Sequence, residues 1–145
     1  MRIAISYCML AIAWAVHPRT YTLRYLAARF ALSCAEGKGA DAPPPAERPA
    51  YRQQALDHLT AVLATMRKRA ASDRTPVAYA IKDRTFVHWR MKAWLVDEDL
   101  ASVRDPRAVG RLPPDERDAW TRLWADVRDL RDRTAPQSDS PQSAR

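Results

Sequence analysis

Five apolar residues near the end of the chain constrain its fold more than any other feature. Trp120, Leu123, Trp124, Val127 and Leu130 fall at i, i+3, i+4, i+7 and i+10. That spacing makes one stripe on a 3.6-residue helix, whereas a strand alternates its faces every second residue. The start of this helix is legible too. Pro114 suits a first helical turn, where its missing N–H costs nothing. Asp115 and Glu116 sit where the positive end of the helix dipole favours acids, and Leu112 is placed to fold back on the first buried turn. Arg and Asp occupy the opposite face. A helix with one apolar stripe needs other elements to cover it.

Composition indicates that those elements are helices as well. Only three glycines, Gly37, Gly39 and Gly110, occur in 145 residues, and long runs lack proline, which argues against a turn-rich sheet protein. The hydrophobic share of 47% is enough for one modest core. One helix is expected from Thr20 or Thr22 to Ala35, stopped by Gly37 and Gly39. Pro43, Pro44 and Pro45 then make a stiff extended link. A second helix is expected over about 46–70, with Tyr51, Ala55, Leu59, Val62 and Met66 as its stripe, broadened by Leu56 and Leu63. Thr75 and Pro76 read as cap and first residue of a third. It carries Val77, Ala80, Ile81, Val87, Trp89, Met91 and Trp94, and its polar middle, Lys82 to Thr85, is a place for a break. Trp89, Trp94, Trp120 and Trp124 are the aromatic candidates for the core.

At the front, residues 3–16 form an apolar run after Met1 and Arg2. The run is too short for a membrane span, which takes about 20 residues. Two readings stay open: a packed N-terminal helix, or a signal peptide with Ala13-Trp14-Ala15 as cleavage site. Beyond Arg133, Thr134 to Arg145 has nothing to bury and is expected to be disordered. The organisation is therefore an N-terminal helix or signal peptide over 1–16, a helical module over 17–133 and a disordered tail over 134–145. The fold class is all-α, a small bundle of four to five helices.

Charge and chemistry narrow the functions. The net charge of +7 comes mainly from arginine and raises nucleic acid or an acidic partner as possibilities. The charges alternate in sign along 115–118 and 128–133, however, as on a solvated helix face. Cys8 and Cys34 lie in apolar stretches and read as two buried thiols. His17, His58 and His88 are scattered, with no metal-ligand spacing, and no nucleophile pattern accompanies them. No catalytic residue, cofactor or metal site is expected.

A resemblance gives these elements a context. Asp99-Leu100-Ala101-Ser102-Val103-Arg104-Asp105 and the run from Leu112 through Glu116-Arg117, Trp120 and Leu123-Trp124-Ala125-Asp126-Val127 resemble the extreme C-terminus of bacterial serine/threonine kinases and related proteins with tetratricopeptide (TPR) repeats. Arg24-Tyr25 with the Ala-rich run to Leu32, the Gly37 to Asp41 loop and Arg52 to Asp57 look like a last repeat's helix pair. Where those relatives usually have Asn and Cys in the first helix, this chain has Leu26 and Arg29. The resemblance implies a TPR-like helix pair, a terminal helix and binding of a protein partner. Trp94, Leu100, Val103, Trp120, Leu123, Trp124 and Val127 are its expected structural residues. The chain itself has no phosphate loop, His-Arg-Asp or Asp-Phe-Gly motif, which a kinase needs. The function expected is a noncatalytic interaction module in the cytoplasm, or an exported one if residues 1–15 are a signal peptide. The alternative is a small basic nucleic-acid-binding protein.

Overall fold

The computed structural model describes residues 21–72 and 82–136. All its regular elements are helical: α1 (Tyr21–Ala35), α2 (Arg48–Ser72), α3 (Asp83–Trp94), the single-turn helices α4 (Ala101–Arg104) and α5 (Pro106–Val109), and α6 (Pro114–Thr134). Short 3-10 turns precede α2 at Pro45–Glu47 and α4 at Glu98–Leu100. The all-α bundle expected from the sequence is present, with four long helices and two one-turn helices among the described residues. The expectations for residues 3–16, for Thr75 to Ile81 and for the tail from 137 onward lie outside the described residues.

Each boundary has a local cause. α1 ends in a Schellman motif: the Gly37 N–H donates to the Cys34 carbonyl at 3.0 Å and the Lys38 N–H to the Ser33 carbonyl at 3.0 Å. Gly37 adopts φ +72° there, a left-handed conformation that L side chains rarely take, so glycine is needed for the backbone. α3 starts at Asp83, at the break that the polar stretch from Lys82 to Thr85 allows, and the expected start at Thr75 and Pro76 lies outside the described residues. Lys82 is extended, with φ −61° and ψ 145°, so no single helix runs from Pro76 to Trp94. The reason lies in Asp83: it is buried, it favours the first turn of a helix, and its carboxylate is held by Arg69 near the end of α2. α6 runs one residue past Arg133. Thr134 is buried and its hydroxyl donates to the Leu130 carbonyl at 2.7 Å, so its polar group is satisfied inside the helix.

α1 and α2 form an antiparallel hairpin, α6 packs along α3, and α2 touches both α3 and α6. The core joins Ala28, Ala31 and Leu32 of α1 with Leu59, Val62, Leu63 and Met66 of α2, Val87 and Met91 of α3, and the α6 stripe. Small alanines on α1 permit close approach to α2. Two stripe assignments change. Tyr51 and Leu56 are only half-buried, while His58 and Ala70 are buried. Trp89 is 56% exposed, because the buried line of α3 is Val87, Met91 and Trp94 at i, i+4 and i+7, and Trp89 falls on the opposite face. Cys34 is buried but disulfide-bonded, so it is not the free thiol expected.

His58 is 7% exposed and its Nε2 has no hydrogen-bond partner among the described residues. Burial holds its pKa below the ordinary imidazole value, Arg24 adds to that effect, and Asp57 opposes it. The folded state therefore takes up its proton at lower pH than the unfolded chain does. His58 contributes stability that is complete above the unfolded value of about 6.5 and is lost as pH falls through that value toward the depressed one. Urea melts from about pH 7.5 to 5 should show a falling stability that is shallower in His58→Leu. Equal slopes in the two proteins would remove His58 as the cause.

Candidate interaction surface

The charged turn between α3 and α6 is built almost entirely from internal bonds. The Asp97 side chain accepts from the Asp99 N–H at 3.0 Å and caps the 3-10 turn. Its other oxygen accepts the Tyr25 hydroxyl, and the Tyr25 ring stacks on Trp94 with centroids 5.2 Å apart at 16°. Burial, together with this bond to the Asp97 carboxylate and its charge, pushes the Tyr25 phenol well above its ordinary pKa. Asp99 accepts from Arg29 Nε at 2.6 Å. Arg104 donates to the Asp97 carbonyl at 2.6 Å and to the Trp94 carbonyl at 3.4 Å, closing the end of α3, and it also pairs with Asp105 at 3.1 Å. Arginine, with its fork of donors, suits this bridging of carbonyls and a carboxylate.

The terminal helix is tied in the same manner. Glu116 pairs with Arg52 of α2 through contacts of 2.6 and 3.0 Å, the bidentate arrangement that gives such pairs their geometric definition. Trp124 Nε1 donates to the Val103 carbonyl at 2.7 Å in a buried setting. The seven residues singled out in the sequence lie together here. Trp94, Leu100, Val103, Trp120, Leu123, Trp124 and Val127 are all buried and share one core cluster. The two departures in α1 line one groove, with Phe30, Ser33 and Lys38, and there Arg29 holds Asp99.

The sequence reading did not identify the open face of α3. Trp89 and Val96 are exposed, and Ala93 lies between them in solvent. A measure of helical phase would have found it, since Trp89 cannot share a face with both Met91 and Trp94. On the side toward α1, Arg90 lies 5.3 Å over the Tyr21 ring and donates to its hydroxyl at 3.3 Å. Phe86 meets Tyr21 edge-on at 5.6 Å and carries Arg69 3.9 Å over its own face. Among the described residues no three of His, Cys, Asp or Glu converge to hold a metal ion, and no helix is long and apolar enough to cross a membrane.

Comparison with protein-family models, with curated proteins and with solved structures finds no match to this chain. The functional reading therefore rests on the arrangement of the chain's own residues.

Proposed function

We propose that the chain is a noncatalytic helical protein–protein interaction module of the kind that closes a TPR-containing, serine/threonine-kinase-type protein. One observation carries this reading. The charged turn and terminal helix bind inward, whereas α3 turns a large aromatic side chain outward. Asp97, Asp99, Arg104 and Glu116, the charged groups of the resembling segment, bond to groups of this fold. A contiguous exposed apolar patch, such as Trp89 with Ala93 and Val96, is a feature that marks surfaces covered by another macromolecule. The two long hairpin-like pairs, α1 with α2 and α3 with α6, are consistent with successive units of a helical stack.

Reconstitution tests the proposal. A protein that co-purifies with the full chain from its native host should, once purified itself, form a stoichiometric complex that survives nuclease treatment. A complex dissolved by nuclease, and replaced by nucleic-acid binding that falls steeply with salt, would instead support the basic nucleic-acid-binding alternative. Consumption of ATP by the pure chain, lost on substitution of a single acidic residue, would overturn the noncatalytic part.

A further inference from the structure

The outward arc of α3 combines exposed apolar side chains with lysines and carries no acid. At about 100° per residue, Lys82, Thr85, Trp89, Lys92 and Ala93 share one side, and Val96 follows just past the helix end. Trp89 and Val96 are 56% and 74% exposed, and Lys82, Lys92 and Ala93 are exposed as well. The one acid within α3, Asp83, lies on another side, buried against Arg69. Among the described residues Lys82, Arg84, Arg90 and Lys92 form no ion pair. The outer face of α6 instead carries both signs of charge, with Arg131 paired to Asp132 and Arg133 to Asp129. In the turn that follows α3, Tyr25 and Arg29 engage Asp97 and Asp99, which leaves Glu98 as the exposed acid there.

We infer that this face of α3 is the docking surface for an acidic amphipathic helix of a partner protein, with Trp89 as its anchor, an inference that rests on the interaction-module reading above. Trp89, Ala93 and Val96 form an apolar ridge at i, i+4 and i+7, the spacing that a striped helix from another chain matches. Tryptophan is among the side chains that most often dominate such contacts. Lys82 and Lys92 flank Trp89, so carboxylates beside the partner's stripe meet unneutralised cations. The same lysines disfavour a second copy of this chain, which would bring like charges together. A nucleic-acid strand gains a single stacking platform here and leaves Ala93 and Val96 in water.

Fluorescence anisotropy with two synthetic helical peptides tests the assignment on the full chain. Both carry a leucine stripe; one is flanked by Glu and the other by Lys. The Glu-flanked peptide should bind, more weakly as salt rises, and the Lys-flanked peptide should not. Trp89→Ala should weaken binding about tenfold or more, and Lys82→Glu combined with Lys92→Glu should do the same. Both variants should melt as the parent does, since these side chains are exposed. Equal binding of the two peptides, or parental affinity in Trp89→Ala, overturns the assignment, as does a thymidine oligonucleotide that binds through Trp89 when the peptides do not. The partner reconstituted in the preceding experiment separates the two readings. If it binds Trp89→Ala as well as the parent, the α3 surface is wrong and the interaction module stands; if no protein complex forms at all, both readings fall.

Discussion

Trp124→Ala is expected to lower the unfolding free energy by about 3–5 kcal/mol, the range for truncating a buried aromatic side chain. Trp124 is 3% exposed, and its indole N–H donates to the Val103 carbonyl at 2.7 Å. Alanine would leave a cavity between α6 and the one-turn helix α4, and would also leave that carbonyl without its donor, which adds about 1 kcal/mol or more. Such a loss approaches the whole stability of a small domain. Trp89→Ala supplies the contrast. Its side chain is exposed on α3, so the change should stay within about 0.5 kcal/mol. Parallel urea melts of the two variants check both values. A loss under about 1 kcal/mol for Trp124→Ala would contradict its place in the core.

How legible the fold was depends on which interactions set each element. α6 could be read from its stripe because five apolar residues at regular spacing coincide with a proline start and an acidic first turn, all of them local signals. The end of α1 was legible for the same reason, since Gly37 and Gly39 act on the backbone where they stand. α3 was legible only in part. Its true start depends on an ion pair between Asp83 and Arg69, fourteen positions apart, and no local cap announces it: Lys82 makes no side-chain capping bond. The polar stretch from Lys82 to Thr85 marks where a break can fall, but nothing local names the arginine that fixes it. Residue type alone makes Trp89 a core candidate, whereas helical phase places it outside.

The candidate site divides along the same line. Trp94, Leu100 and Val103 could be identified as structural, but the partners of the acids around them could not. Asp97 meets Tyr25 and Asp99 meets Arg29 across separations of 72 and 70 residues, and Glu116 meets Arg52 across 64. No periodicity encodes such pairs. They form because α1 and α2 are laid against the turn and the terminal helix by apolar contacts elsewhere, and the charges then find one another at the edge of the core. Arg29 is a clear case: a departure from the resembling pattern that folding turns into a clamp on the turn. The open face of α3 was hidden for the opposite reason, since an exposed ridge is defined by what fails to pack against it.

With its apolar stripe in the shared core, the segment from the charged turn through α6 should open with the rest of the molecule and not as a detachable binding element. Native-state amide hydrogen exchange tests this most directly, because it reports the opening free energy of each helix separately. Trp120, Leu123, Val127 and Leu130 are buried in one cluster with Leu59, Val62 and Met66, and Arg52 and Glu116 tie the start of α6 to α2. Amides over 120–130 should therefore exchange only through global opening, with free energies within about 1 kcal/mol of those over 55–66 and equal to the stability from urea melts. If the α6 amides open several kcal/mol more easily than those of α2, the terminal helix is a separable unit, contrary to that expectation.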